Sequence, residues 1–385
     1  MKTLPERSAL IAAAGRVSTG VLAPNADETD RKREFPSQNI SALASEGVLA
    51  LMVPVEFGGA GGGIPEMAKT IDIVAQGCAS TAMIVLMHFC ATAVIAAKGN
   101  DEQKNRVLRE IAAGRHLTTL AFSEAGSGGH FYTPVSEPKQ NGRGVILSAR
   151  KSFVTSAGVA NSYIVSTRRP VAQGPTDLNL YLVSRDAAGL EVQQPFDGLG
   201  LTSNASAAML LNAVALDDEQ RLGDAGTGFG TMLDVVLPHF QVGVAAVSIG
   251  IATCAFNAAT AHVSARKYEQ AGGAALSAIP RVQFLEAEMA LELRSARSYL
   301  DGVIQKLVAG DPEAMLDVLG VKIRAADASL AIASRAMTLG GGSAFGHRGG
   351  LERIFRDAQA ASVMAPSTDV LKDFLGKAVL GLPLF

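Results

Sequence analysis

Leu120-Ala121-Phe122-Ser123-Glu124-Ala125-Gly126-Ser127-Gly128-Gly129-His130 and, after a polar turn, Arg150-Lys151-Ser152-Phe153-Val154-Thr155-Ser156-Ala157-Gly158 frame the stretch that decides the fold. The first segment is an apolar run that opens into a glycine-rich loop. Such a loop exposes backbone N–H groups to a phosphate or to the polar edge of a flat cofactor. The turn between the segments, Gln140-Asn141-Gly142-Arg143-Gly144, leads into the strand-like Val145-Ile146-Leu147-Ser148. In the second segment Phe153 and Thr155 are two apart, so an extended strand puts both on one face. A ring to stack on and a hydroxyl to orient are what a planar, hydrogen-bonding cofactor requires.

The rest of the chain bounds the possibilities. With 385 residues, 48% hydrophobic and 18% charged, it is long and apolar enough for two or three packed units. The net charge of -2 and the lack of a long basic run leave little support for nucleic-acid binding. Arg31-Lys32-Arg33 is interleaved with Asp27, Glu28, Asp30 and Glu34, which reads as a solvated helix face. Three cysteines, Cys78, Cys90 and Cys254, sit among apolar residues; this suits buried thiols in a reducing cytoplasm. No Cys/His spacing suits a metal, and the first seven residues lack the apolar core of a secretory leader. Residues 78–97 and 242–261 have the length of membrane spans. Both are diluted by small and polar residues and lack basic flanks, so they read as central helices of a bundle rather than a membrane anchor.

Taken in order, residues 1–117 read as helical, with Phe35-Pro36 before one helix, Gly47 after it, and Gly114 closing the last. Residues 118–226 alternate β-branched runs with Pro- and Gly-rich turns, which predicts a small antiparallel β domain, sandwich or barrel. Residues 227–385 return to helix, beginning with a long one over 228–266 that Pro238 is expected to interrupt. The order is that of an α+β protein: helical domain, β domain, helical bundle.

The motifs resemble those of the acyl-CoA dehydrogenase superfamily. The loop at 123–130 is similar to its T-E-P-G-x-G-S-D, and Lys151-Ser152-Phe153-Val154-Thr155 to its K-x-W/F-I-T strand. Val53-Pro54-Val55-Glu56-Phe57-Gly58-Gly59-Ala60-Gly61, Gly341-Gly342-Ser343-Ala344-Phe345 and Leu351-Glu352-Arg353-Ile354-Phe355-Arg356-Asp357-Ala358 resemble later landmarks in the right order. The resemblance implies a C-terminal four-helix bundle and FAD held by Phe122, Ser123, Gly126, Gly128, Phe153, Thr155 and Ser367. It also implies a homo-oligomer, dimer or tetramer, in which Arg266, Gly341 and Gly342 reach the diphosphate of a neighbouring subunit's FAD. Gly129, Thr338 and Pro280 replace polar residues of the family, which weakens the expected FAD contacts and leaves FMN as an alternative.

The resemblance implies α,β-dehydrogenation of an acyl thioester, possible only with a base for the weakly acidic α-proton. At the family's usual glutamate position stands Ala365; at its other position, on the long helix, stands Phe240. His239 and Asp369 are the substitutes within reach in sequence, against the plainer readings of a core histidine and a helix cap. A second reading is a two-component flavin-dependent monooxygenase, which requires no such base. It draws on the long 266–283 loop and on His88, near where some such relatives carry a flavin-facing histidine. A third is a ligand-binding paralogue without turnover. Electron partners would be an electron-transfer flavoprotein for the first reading and a flavin reductase for the second.

Overall fold

The computed structural model describes residues 6–130, 132–347 and 349–383; the Met1–Pro5 part of the stretch read for a leader lies outside them. The N-terminal helices are α1 (Arg7–Val17), α2 (Ala23–Lys32), α3 (Ser37–Ser45), α4 (Ile64–Gly77), α5 (Ala79–Lys98), α6 (Asp101–Gln103) and α7 (Arg109–Ala112). Helix α4 has Pro65 in its first turn, and its Glu66 carboxylate accepts from the Gly63 N–H at 2.9 Å, a reach-back that serves an orphan donor. Helix α5 is apolar on all sides because it is covered on all sides, by α4, by the long C-terminal helix and by the first strand. In each of the two span-length helices, 83% of the most apolar 18-residue stretch is buried inside the fold.

Among the described residues eight strands follow: β1 (Thr118–Ala121), β2 (Lys139–Asn141), β3 (Gly144–Val154), β4 (Ser162–Arg168), β5 (Leu178–Ser184), β6 (Leu190–Pro195), β7 (Ala207–Leu216) and β8 (Arg221–Leu222). They make two four-stranded sheets, β1-β4-β5-β8 and β2-β3-β7-β6. The expectation of a wholly antiparallel domain is corrected at one place. Strand β1 pairs with β4 in parallel, Thr118 opposite Ser162, because the chain crosses to the second sheet and back before β4 begins. Strand β6 is exposed along most of its length, which is why alternation did not announce it.

The C-terminal part comprises α8 (Gly228–Thr231), α9 (Leu237–Ala265), a hairpin of β9 (Lys267–Tyr268) and β10 (Ala274–Ala275), then α10 (Pro280–Ala309), α11 (Ala314–Ala344), α12 (Leu351–Ala358), α13 (Ala360–Val363) and α14 (Thr368–Val379). Pro238 does not break the long helix. The helical backbone runs on through it, and a π-helical segment, Met232–Val236, lies directly before it, a wider turn that accommodates a residue without an N–H. The long helical run of α11 is broken at Gly341, whose backbone (φ 53°, ψ -145°) is not helical, and only a short last turn follows it. Two cores result. One lies between the two sheets; the other is shared by the N- and C-terminal helices and the outer face of β1-β4-β5.

Candidate functional site

A cavity of about 1120 Å³ opens where the three parts of the chain meet. Met83 and Met87 of α5 form one side, the 122–129 loop and residues 152–155 a second, the 196–206 loop a third, and residues from 356 to 367 a fourth. This exceeds the ~300–1,000 Å³ of ordinary small-molecule sites and suits two ligands side by side.

The glycine loop takes its shape from Gly126 (φ 101°) and Gly128 (φ 59°), a backbone that a Cβ would strain. Its base is a buried ion pair. Glu124 and Lys151, 2% and 0% exposed, approach to 2.6 Å. The other Glu124 oxygen accepts from the N–H groups of Val135 and Ser136, both at 2.8 Å, and the Ser136 hydroxyl donates to the first at 2.6 Å. Burial alone would raise the Glu124 pKa; Lys151 and Ser136 outweigh it and hold the carboxyl below its ordinary range. The loop and β3 are therefore one unit. Neither residue was given a role from the sequence; Glu124 stands among Ser and Gly and Lys151 between Arg150 and Ser152, so nothing local marked either charge as buried.

Phe153 and Thr155 both line the cavity, but not as alternate residues of a regular strand. The β3–β7 register shifts between Lys151 and Val154, and Phe153 has φ 53°. The bulge turns the Phe153 ring outward, 64% exposed and edge-on to Phe196 at 5.1 Å, while Thr155 stays buried. Among the described residues neither the Ser123 nor the Thr155 hydroxyl has a hydrogen-bond partner, and both face the cavity. Ser367 lines it too and caps α14 by accepting from the Val370 N–H. The 196–206 loop was read as plain turns. Gly200 there lies so close to α12 that a Cβ would stand 2.4 Å from the Arg356 carbonyl oxygen. Arg356 lines the cavity while bonding Asp30, Glu352 and the Leu199 carbonyl.

Ala365 and Phe240 both line this cavity. The proposed substitutes do not. His88 is fully buried beside β1: the Thr118 N–H donates to its Nδ1 at 3.2 Å, so Nε2 carries the proton and donates to the Leu49 carbonyl at 3.1 Å. Burial lowers its pKa to about 4. It does not line the cavity, and its main-chain partners turn it into the core, the position of a packed histidine rather than of one facing the cavity. His239 donates from Nδ1 to the Val235 carbonyl at 2.6 Å within its own helix, and burial lowers its pKa. Asp369 is exposed in the first turn of α14, whose cap is Ser367. Among the described lining residues Glu124 is the one carboxylate, and all its lone pairs are engaged.

Arg266, Gly341 and Gly342 lie away from the cavity and are exposed; Arg266 ends α9, and both glycines lie at the end of α11. Among the described residues no cluster suited to a metal is present.

Three sequence profiles match the chain: the N-terminal, middle and C-terminal domains of acyl-CoA dehydrogenases, over residues 5–115, 119–214 and 226–380. A "probable acyl-CoA dehydrogenase" of Mycobacterium bovis is 27% identical over 359 residues, 93% of this chain and 91% of that protein. Butyryl-CoA dehydrogenase of Megasphaera elsdenii superposes with a TM-score of 0.91 at 22% identity, covering 99% of each chain. The FAD complex of PigA superposes at 0.89 with 21% identity over 98% of this chain and 97% of that one.

Proposed function

We propose, for a chain that belongs to the acyl-CoA dehydrogenase family, a FAD-dependent oxidoreductase that takes an acyl thioester or a related substrate. The observation that carries the reading is the cavity itself, where open glycine backbone, two unengaged hydroxyls and an outward-facing ring meet. The loop backbone at Phe122, Gly126 and Gly128, the hydroxyls of Ser123, Thr155 and Ser367, and the Phe153 ring would hold FAD, or FMN in its place. The flavin, when bound, supplies a two-electron acceptor. The protein's own part is to orient substrate between Met83, Met87, Phe240 and Ala365 and to exclude water with that apolar surface.

The missing base favours a second reading. With Glu124 locked to Lys151, no carboxylate among the described lining residues is free to take an α-proton, which suits flavin-dependent oxygenation of an apolar substrate. Arg266, Gly341 and Gly342 would reach a second subunit's FAD diphosphate in a dimer or tetramer. Phe284 and Leu291, exposed seven residues apart on α10, offer an apolar stripe for such a contact. The free thiols suit the cytoplasm. An electron-transfer flavoprotein or a flavin reductase would serve as electron partner.

Anaerobic mixing of FAD-loaded protein with short-, medium- and long-chain acyl-CoAs decides between these. Bleaching of the flavin supports dehydrogenation. If wild type does not bleach but Ala365→Glu does, the cavity takes acyl-CoA and lacks only the base. If neither bleaches, and reduced flavin with dioxygen converts an apolar substrate to an oxygenated product, the second reading holds. Failure to bind any flavin removes both and leaves the ligand-binding paralogue.

A further inference from the structure

Lys322 is fully buried in the middle of α11. A buried ammonium ordinarily has a carboxylate beside it. Among the described residues this one has none. Its Nζ donates to the main-chain carbonyls of Met364 at 2.6 Å and Pro366 at 2.5 Å, and it stands 6.0 Å from the centre of the Phe240 ring. Burial alone lowers its pKa, to about 7.

What it touches gives it a purpose. Met364 and Pro366 flank Ala365 in the turn between α13 and α14, and Phe240 comes from α9. Met364, Ala365 and Phe240 all line the cavity; Lys322 does not. Thus one side chain, behind the wall, ties together the two places where the family's base would stand. Without it two inward carbonyls would be buried acceptors with no donor, and the turn would be free to rearrange. An apolar side chain could fill the same volume, but it could not fix the backbone of the turn.

We propose that Lys322 is a positioning residue of this cavity: it fixes the 364–366 backbone against the Phe240 ring and so sets the wall that a substrate meets. The proposal rests on the reading of the cavity as the flavin and substrate site.

The test compares wild type with Lys322→Met, which removes every N–H at similar length, and Lys322→Gln, which keeps a donor on a shorter stem. Amide hydrogen exchange of the free proteins is followed over residues 362–368, and the visible spectrum of added FAD is recorded. In the Met variant exchange over 362–368 is expected to quicken by about tenfold or more, with α10 unchanged, as a lost local hydrogen bond requires. The Gln variant is expected to lie between, and it stands in if the Met variant does not fold. FAD binds with similar affinity but its visible band shifts. Unchanged exchange over 362–368 overturns the proposal, as does quickening throughout the helices, which would make Lys322 a general core residue. Faster local exchange with an unaltered flavin band overturns it too, since the clamp would then be structural only. Failure of wild type to bind FAD sinks the cofactor reading instead, and the exchange result still decides whether Lys322 fixes the wall.

Discussion

His88 illustrates what a single residue type can and cannot disclose. A histidine on an apolar helix is as compatible with catalysis as with packing, and only its partners decide. Here those partners are two main-chain groups, from Thr118 and Leu49, that no spacing rule reveals. Ala365 and Phe240 were different: both were found by counting from motifs, and both line the cavity. The neutral state of His88 has a measurable consequence. Its folded pKa, about 4, is below the ordinary 6.5, so the unfolded chain binds the proton more tightly. The stability this supplies is full above pH 6.5 and is lost as pH falls toward 4, about 3 kcal/mol in all. Urea unfolding of wild type and His88→Gln should show the wild-type lead shrinking over that window. A lead that stays constant between pH 7 and pH 4 would mean that His88 titrates normally.

At the scale of elements, long helices and β-branched strands were legible because periodicity and Pro or Gly punctuation agreed. The departures share a cause: tertiary contacts override local pattern. The bulge that reverses Phe153, the parallel β1–β4 pair and the edge strand β6 each depend on a distant neighbour. So does the Glu124–Lys151 pair, which joins the glycine loop to β3. Removing one member of such a buried pair leaves an uncompensated charge and costs about 3–5 kcal/mol, whereas replacing both by neutral side chains is close to neutral. Glu124→Gln and Lys151→Met are each expected to lower the thermal midpoint strongly, and the double variant to recover most of the loss. Flavin binding should follow the loop: weak in the single variants, partly restored in the double. A double variant as unstable as the sum of the singles would refute the coupling.

For the whole molecule, composition predicts three segments, at 1–117, 118–226 and 227–385, but says nothing of their dependence on one another. Helices α4 and α5 pack on α9, and the outer face of β1-β4-β5 contributes Leu120, Ile164, Leu178, Leu180 and Leu182 to the same core. Arg356 then bolts the three together at the cavity rim, bonding Asp30 of α2 and the Leu199 carbonyl of the β domain. A helical segment cut from this arrangement exposes the sides of α5 or α9 that the other segments cover. Residues 1–117 and 227–385, expressed singly, are therefore expected to show no cooperative unfolding. Residues 118–226 keep the core between their sheets, with Leu147, Tyr163, Val183 and Met209. That segment should retain β-sheet circular dichroism while binding a hydrophobic dye through its uncovered outer face. The intact chain should melt in one calorimetric transition, because separating any part costs the shared core. Two resolved transitions, or a singly expressed helical segment that unfolds cooperatively, would show that the cavity lies between independent domains and can open without unfolding either.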